Sequence, residues 1–127
     1  MSAWEGMNRR QFPRVNYPCM LTVNIKDHDQ PFLTHTENLG VGGVCVMHSR
    51  KFPMFSEVGL EIDLMDFEGH IQCRGKIVWL VRRRAENDDK PLMYDIGIEF
   101  IDIKTADRAR IEAVVQRMVK AGAERAV

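Results

Sequence analysis

Three arginines stand close together near the amino terminus, in the segment Asn-Arg-Arg-Gln-Phe-Pro-Arg of residues 8–14. The guanidinium group is a planar fork of donors, so it pairs bidentately with phosphate or with the O6/N7 edge of guanine, and it stacks on bases. An isolated arginine cluster is commonly a solvated arm. The chemistry of Arg9, Arg10 and Arg14 nevertheless suits an anionic ligand that carries a purine.

A glycine-rich segment follows later in the chain, Asn38-Leu39-Gly40-Val41-Gly42-Gly43. Glycine lets the backbone approach a ligand closely and expose its N–H groups, and an asparagine side chain can both donate to and accept from a base edge. By itself such a segment commonly forms a turn. Together with the arginines, it predicts a site for a ligand that is both anionic and purine-containing.

Catalytic signals are weak in this sequence. It contains no GxSxG, no HExxH and no Walker lysine after its glycines. Cys45 and His48 are three residues apart on a predicted strand, so they point to opposite faces and are interpreted as a buried thiol and a surface imidazole. Asp27-His28-Asp29 fits a turn better than a cation site. We therefore predict a protein that is not an enzyme and has neither metal nor cofactor.

The chain has 127 residues, of which 45% are hydrophobic and 28% are charged. This length and composition are typical of a single globular domain. Lys+Arg and Asp+Glu are 18 each, so any anion binding must come from local clustering. The cysteines are far apart and lack a CxxC spacing, which favours a reducing compartment. Neither a signal peptide nor a long apolar segment is visible, so we predict a cytoplasmic protein without membrane insertion.

Strands must position the arginine cluster and the glycine-rich segment, because apolar and polar residues alternate with a period of two over most of the chain. The alternation predicts six strands, at about residues 17–25, 32–38, 44–47, 58–64, 71–82 and 94–100. The apolar run of residues 77–81 breaks this alternation and predicts a bulge.

A helical period appears only after Thr105, which is a suitable N-cap. Its apolar stripe comprises Ile111, Val114, Val115 and Met118. We therefore predict a mainly β fold, a six-stranded antiparallel barrel with a C-terminal α-helix that covers an end or flank.

The order of the motifs resembles the PilZ domain family, whose members bind the bacterial second messenger cyclic di-GMP. The family signature is RxxxR before the first strand and (D/N)xSxxG after the second. Arg10 and Arg14 match the first motif. Asn38, Gly40 and Gly43 fall on the second, with Gly40 in place of the usual serine.

The resemblance continues through residues 75–79, like the family's G-x-V-x-W strand, and residues 94–100, like its Y-x-x-G-x-x-F strand. It implies a stand-alone, single-domain member. Residues 1–7 would form a flexible N-terminal arm, residues 8–118 the domain with its RxxxR segment, and residues 119–127 the helix end or a tail.

Carried over by position, the resemblance implies that Arg10 and Arg14 hold guanine and phosphate. Asn38 would read a guanine edge, and Gly43 would permit the turn beside it. Arg9 matches an arginine of members that bind an intercalated ligand dimer, so two ligands per protomer are expected.

Gly40 lacks a hydroxyl that could bond the ligand. A net hydrogen bond contributes roughly 0.5–1.5 kcal/mol, so affinity is expected to be about threefold to tenfold weaker, with binding retained. Trp79 fits two interpretations, a position close to the ligand or a place in the barrel core. The cluster of residues 82–84, all arginine, is interpreted as a solvated loop in preference to an extension of the site or a partner contact.

The implied function is a cyclic di-GMP receptor. Ligand would draw the arginine arm onto the barrel, and the changed arm would signal to an unidentified protein partner. One alternative is a PilZ-type interaction adaptor with weak or no ligand binding, which Gly40 keeps open. Another is a barrel that binds single-stranded nucleic acid. Few Trp and Tyr residues and a net charge of zero disfavour it, and DNA is not an expected partner.

Overall fold

The computed structural model describes residues 14–25, 31–83 and 92–125, which contain seven strands and one helix. In chain order these elements are β1 (Arg14–Val15), β2 (Met20–Ile25), β3 (Phe32–Gly40), β4 (Gly43–His48), β5 (Glu57–Asp63), β6 (Ile71–Arg82), β7 (Tyr94–Asp102) and α1 (Thr105–Arg125). The six longer strands lie where the alternation predicts them. Arg14, assigned to the arm from the sequence, instead begins the short strand β1.

The six longer strands close into an antiparallel barrel. Their order is β3-β2-β5-β6-β7-β4, and β4 pairs back with β3. Strand β1 adds to the end of β3, where Arg14 pairs with Gly40 and Val15 with Leu39. Closure leaves no long unpaired edge among these strands. The mainly β barrel with a C-terminal helix is confirmed.

The barrel interior is filled by aliphatic side chains from alternate strand positions. Paired residues share a face in antiparallel strands, and core residues accordingly pair with each other, as Leu21 with Ile62 and Ile77 with Ile98. The fully buried members include Leu21, Leu39, Val44, Val46, Ile62, Ile71, Ile77, Ile96 and Ile98. Polar residues at the other strand positions are consequently directed to the outer face of the barrel.

Strand β6 contains the predicted bulge. The pairing register with β7 shifts between Ile77 and Trp79, so the extra residue Val78 interrupts the alternation. Ile77 pairs with the core residue Ile98, whereas Trp79 pairs with Gly97. Without the bulge, Ile77 and Trp79 would point to the same side of the strand. The bulge therefore moves the indole from the core to the outer face.

Helix α1 buries the predicted stripe. Ile111, Val114 and Val115 are buried in the core cluster, and Met118 is partly buried against it. The helix contacts β1 and β3. Lys104 accepts a backbone hydrogen bond from the N–H of Arg108 at 2.9 Å, so the cap lies one residue earlier than the predicted Thr105. Among the described residues, no helix has both the length and the apolar character needed to cross a bilayer.

One ion pair joins α1 to the loop between β5 and β6. Arg110 donates to both carboxylate oxygens of Asp66, with Nη2–Oδ1 at 2.9 Å and Nε–Oδ2 at 3.2 Å. Hydrogen bonding from Arg110 is the main reason why the pKa of Asp66 lies below its usual value. Both side chains are largely shielded, with 19% of Arg110 and 24% of Asp66 exposed.

We expect Asp66→Asn to lower the free energy of unfolding at pH 7 by about 1–3 kcal/mol, because charge-assisted hydrogen bonds are lost. A depressed pKa stabilises the fold above the unfolded-state value of 3.8, and this contribution is lost as pH falls through the folded-state pKa. Urea unfolding at several pH values measures the difference.

Glu68→Gln is the matched control, since Glu68 is 70% exposed and lies 3.8 Å from Arg110. Its effect should stay within about 0.5 kcal/mol. Equal stability of Asp66→Asn and wild type at pH 7 would show that the ion pair does not anchor the helix.

Candidate ligand-binding site

A row of paired residues crosses four strands on the outer face of the barrel. Trp79 of β6 pairs with Gly97 of β7, Gly97 with Cys45 of β4, and Cys45 with Asn38 of β3. The neighbours of Gly97 on β7 belong to the core, so this row faces outward. The structure thus places Asn38 and Trp79, which the sequence proposed separately, at the two ends of one row on the outer face.

A second bulge shapes β3 beside this row. The register with β4 shifts between Thr36 and Asn38, so both Glu37 and Asn38 lie opposite Cys45. Thr36 points inward and is buried, with its hydroxyl accepting from the Cys19 N–H at 3.1 Å. Strict alternation from Thr36 would direct Asn38 inward, so the bulge places Asn38 beside Glu37 on the outer face instead of in the core.

Arg14 reaches this region through β1. It pairs with Gly40, two residues along β3 from Asn38, and it lies close enough to Cys45 for its charge to act on that thiol. Gly40 ends β3 and Gly43 begins β4. None of the glycines among the described residues has a positive φ, so glycine contributes a missing side chain here and not a left-handed backbone.

Arg9 and Arg10 lie outside the described residues, and their assignment to the site stays a prediction. Arg10 is four positions before Arg14, and an extended chain covers at most about 14 Å over that length. Arg10 is therefore tethered within reach of the site.

Trp79 lies directly over Gly97. A Cβ added to Gly97 would stand 2.1 Å from Nε1 and 2.2 Å from Cε2 of the indole, far inside contact distance. Trp79 is half-buried and does not belong to the core cluster. The barrel-core interpretation of Trp79 is therefore wrong, and its place is on the outer face in line with Asn38.

An acidic pair with an arginine lies next to the row. Arg83 Nη1 contacts Glu37 Oε1 at 3.1 Å, and Arg83 Nε lies 3.6 Å from Asp95 Oδ2. Of residues 82–84, interpreted as a solvated loop, Arg82 ends β6 and Arg84 lies outside the described residues. Arg83 follows β6 with its side chain 46% exposed, and it also pairs with both carboxylates beside the site. Sequence reasoning missed this group because its members come from β3, from β7 and from the residue that follows β6.

Burial controls the protonation of this group. It raises the pKa of the Glu37 carboxyl, and the neighbouring Asp95 raises it further. Burial, with the nearby carboxylates of Glu37 and Asp95, raises the pKa of the Cys45 thiol to about 12. The thiol is therefore protonated at neutral pH, which disfavours a nucleophilic role.

Glu37, Cys45 and Asp95 also have ligand atoms within 4.8 Å of one another. A metal would require a thiolate and carboxylates free to bind it. Here the thiol is protonated, and Arg83 already pairs with both carboxylates. We interpret the group as a structural support beneath the site.

Asn38 has an unusual environment for a polar side chain. Its Oδ1 is buried and accepts no hydrogen bond from any part of the chain that the structure describes. A buried acceptor without a donor costs about 1–3 kcal/mol. Such an atom marks a position where an incoming donor would be stabilised.

His48 differs from its predicted surface position. Its ring lies 4.3 Å from that of Phe32 and 5.8 Å from that of Phe52, between centroids. Burial, and then the charge of Arg50, lower its pKa. Cys45 is buried as predicted. The two side chains form no pair, which agrees with their predicted separation.

Gly97→Ala should displace Trp79, because a methyl group cannot share space with the indole. Overpacking of this kind costs about 1–3 kcal/mol. In a Trp4→Phe background, where Trp79 is the only tryptophan, we expect a shifted emission maximum and a lower melting temperature.

Gly59→Ala is the control, since the atoms nearest to its added Cβ are at 3.7 Å, an ordinary contact distance. It should leave both measurements close to wild type. Unchanged fluorescence in Gly97→Ala would contradict the described packing of Trp79.

The family model described as PilZ domain matches residues 8–117. The PilZ domain of YcgR from Escherichia coli, solved with c-di-GMP, aligns with TM-score 0.69 at 12% identity over 93% of this chain and 97% of that one. The comparison with curated proteins found no match.

Two longer proteins also align. The MrkH–c-di-GMP complex of K. pneumonia gives TM-score 0.73 at 15% identity over 92% of this chain and 55% of that one. The Bacillus subtilis inhibitor of motility, MotI/DgrA, gives 0.66 at 17% identity over 91% and 52%. The chain thus spans about half the length of both, and identities this low show a common fold.

Proposed function

The chain belongs to the PilZ domain family, and on that premise we propose that it is a receptor for cyclic di-GMP. The proposal rests on one observation, which is that Arg14 and Asn38 lie near each other at the carboxyl end of β3. Arg14 pairs with Gly40, and the nearby Asn38 Oδ1 is a buried acceptor without a donor in the described residues. The YcgR domain and MrkH, which share the fold, are described as bound to c-di-GMP.

The ligand chemistry fits these groups. The two phosphates of the dinucleotide accept charge-assisted hydrogen bonds from Arg14 and, within its tether, from Arg10. The amino group of guanine is a donor, which suits the unsatisfied oxygen of Asn38. Trp79 offers an aromatic surface on the same face, on which a base can stack. Gly40 and Gly43 keep side chains away from the approaching ligand.

We expect calorimetry to show that the protein binds cyclic di-GMP. Arg10→Ala and Arg14→Ala should each weaken binding at least about tenfold, because each removes hydrogen bonds to a charged group. Asn38→Ala should weaken binding by about threefold to tenfold. Arg9→Ala should reduce the stoichiometry from two ligands per protomer to one.

Two variants serve as controls in the same titrations. Arg74→Ala removes an exposed arginine that pairs with Glu57 and Asp102 elsewhere on the barrel, and it should bind as wild type does. Gly40→Ser supplies the missing hydroxyl and should tighten binding about threefold to tenfold. Absence of binding by wild type would favour the adaptor alternative. Binding of single-stranded oligonucleotides in place of the dinucleotide would favour the nucleic-acid alternative.

The signalling step that we propose is ordering of the N-terminal arm on the barrel. Ligand phosphates would draw Arg9 and Arg10 towards Arg14, whose backbone is already part of β1. The arm then adopts a new conformation that an effector protein can recognise. The protein is accordingly proposed to be a binding domain and not an enzyme, and its cytoplasmic location stays a prediction.

NMR of uniformly labelled protein tests this step. Backbone amides of residues 8–12 should lose fast-timescale mobility on saturation with cyclic di-GMP, whereas the amide order parameters of β5 should not change. Equal mobility of the arm with and without ligand would rule out the ordering step while leaving the binding proposal intact.

A further inference from the structure

The loop between β5 and β6 presents an aromatic ring entirely to solvent. Phe67 is 105% exposed and Met65 is 49% exposed. Both have left-handed backbones, with φ of 66° and 57° respectively. Residues with a side chain rarely adopt this conformation, and it persists where surrounding contacts enforce it. The fold therefore holds two large apolar side chains outward at a conformational cost.

Several contacts hold this loop rigid. Tyr17 Oη donates to the Leu64 carbonyl at 2.6 Å, and Asp63 Oδ1 accepts the Met65 N–H at 2.8 Å. The bidentate contact from Arg110 fixes the middle of the loop to α1. Because the loop is already ordered, a partner that bound Phe67 would lose little conformational entropy. Rigid aromatic side chains of this kind dominate the free energy of many protein interfaces.

The surface around the ring is acidic. Residues 61–73 contain no lysine or arginine, and their four carboxylates belong to Glu61, Asp63, Asp66 and Glu68. The nearby basic groups of His70 and Arg110 are already engaged with these carboxylates. Glu68, next to Phe67, is 70% exposed. An anionic membrane or a nucleic acid would be repelled here, whereas a protein pocket rimmed by Lys and Arg would be complementary.

The loop is also connected to the ligand-binding region. Arg110 joins it to α1, and α1 contacts β1, the strand that carries Arg14. A partner bound at the loop would therefore contact a part of the fold that is packed against the proposed ligand arm.

We propose that Phe67, supported by Met65, is the anchor with which this protein docks into an apolar pocket with a basic rim on a protein partner. The β5–β6 loop would then be the surface that the proposed receptor presents to its protein partner. This inference rests on the proposed function only in requiring such a partner.

Photocrosslinking in the source cells tests the inference, with p-benzoylphenylalanine placed at position 67 of the full chain. The same probe at position 55 is the matched control, since Phe55 is 63% exposed and also has a positive φ of 65°. Phe55 belongs to a different loop, where its ring lies 5.8 Å from the Lys76 ammonium. We expect a protein adduct at position 67 and none of that mass at position 55.

The captured protein, once purified, is then titrated with the variants. Phe67→Ala should weaken its binding at least about tenfold, and Phe55→Ala less than about twofold. Glu68→Lys should weaken binding at low salt, with a smaller effect at 0.5 M salt, because exposed charges are screened. Phe67→Gly relieves the left-handed strain, so its melting temperature should equal or exceed that of wild type while docking is lost. That result separates loss of docking from misfolding.

Three results would overturn the inference. The first is the absence of an adduct specific to position 67. The second is an unchanged affinity of Phe67→Ala for the captured protein. The third is sedimentation with phosphatidylcholine vesicles that depends on Phe67, in place of a protein adduct. Phe67→Ala should bind cyclic di-GMP as wild type does in calorimetry. If the wild type docks but does not bind cyclic di-GMP, only the receptor proposal is wrong. If it binds cyclic di-GMP but does not dock through Phe67, only the docking proposal is wrong.

Discussion

The pairing of β3 with β4 closes the barrel, and the rest of the structure depends on that closure. A closed six-stranded barrel has one small interior, which here is filled by aliphatic side chains, so polar groups must face outward. In regular strands the alternation alone assigns each residue to a face. Among the register shifts of the sheet, two change that assignment near the candidate site, one at Glu37 in β3 and one at Val78 in β6. Both lie in the strands that carry the candidate site.

The bulges explain why the site has an aromatic surface and a charged support side by side. One moves Trp79 outward over Gly97, and the other places Glu37 beside Asn38 above Cys45. Arg83 then pairs with Glu37 and Asp95, and its positive charge offsets part of the negative charge of these two carboxyl groups beside the proposed anion-binding region. Arg14 adds positive charge from β1. An acidic group next to a proposed phosphate site is thus compatible with anion binding.

The ion pair between Asp66 and Arg110 has a corresponding role at the other surface. It fixes the β5–β6 loop to α1, and the apolar stripe of α1 completes the core. The helix also contacts β1, so the proposed docking loop and the proposed ligand arm are joined to one element. A change in the position of α1 would therefore move both the β5–β6 loop and β1, because the helix contacts each of them directly.

The sequence by itself determined the six strands, the helix, the bulge near residues 77–81 and the segments that carry the two motifs, because period and turn chemistry are local properties. It could not decide between a core and an outer position for Trp79, and it did not reveal the ion pairs of Arg83 or the ring contacts of His48. Only the tertiary structure decided these, since a register shift reverses every later side chain and ion pairs join residues distant in sequence. The outward display of Phe67 was equally beyond the sequence, because its left-handed backbone is enforced by contacts from β5, the β1–β2 connection and α1.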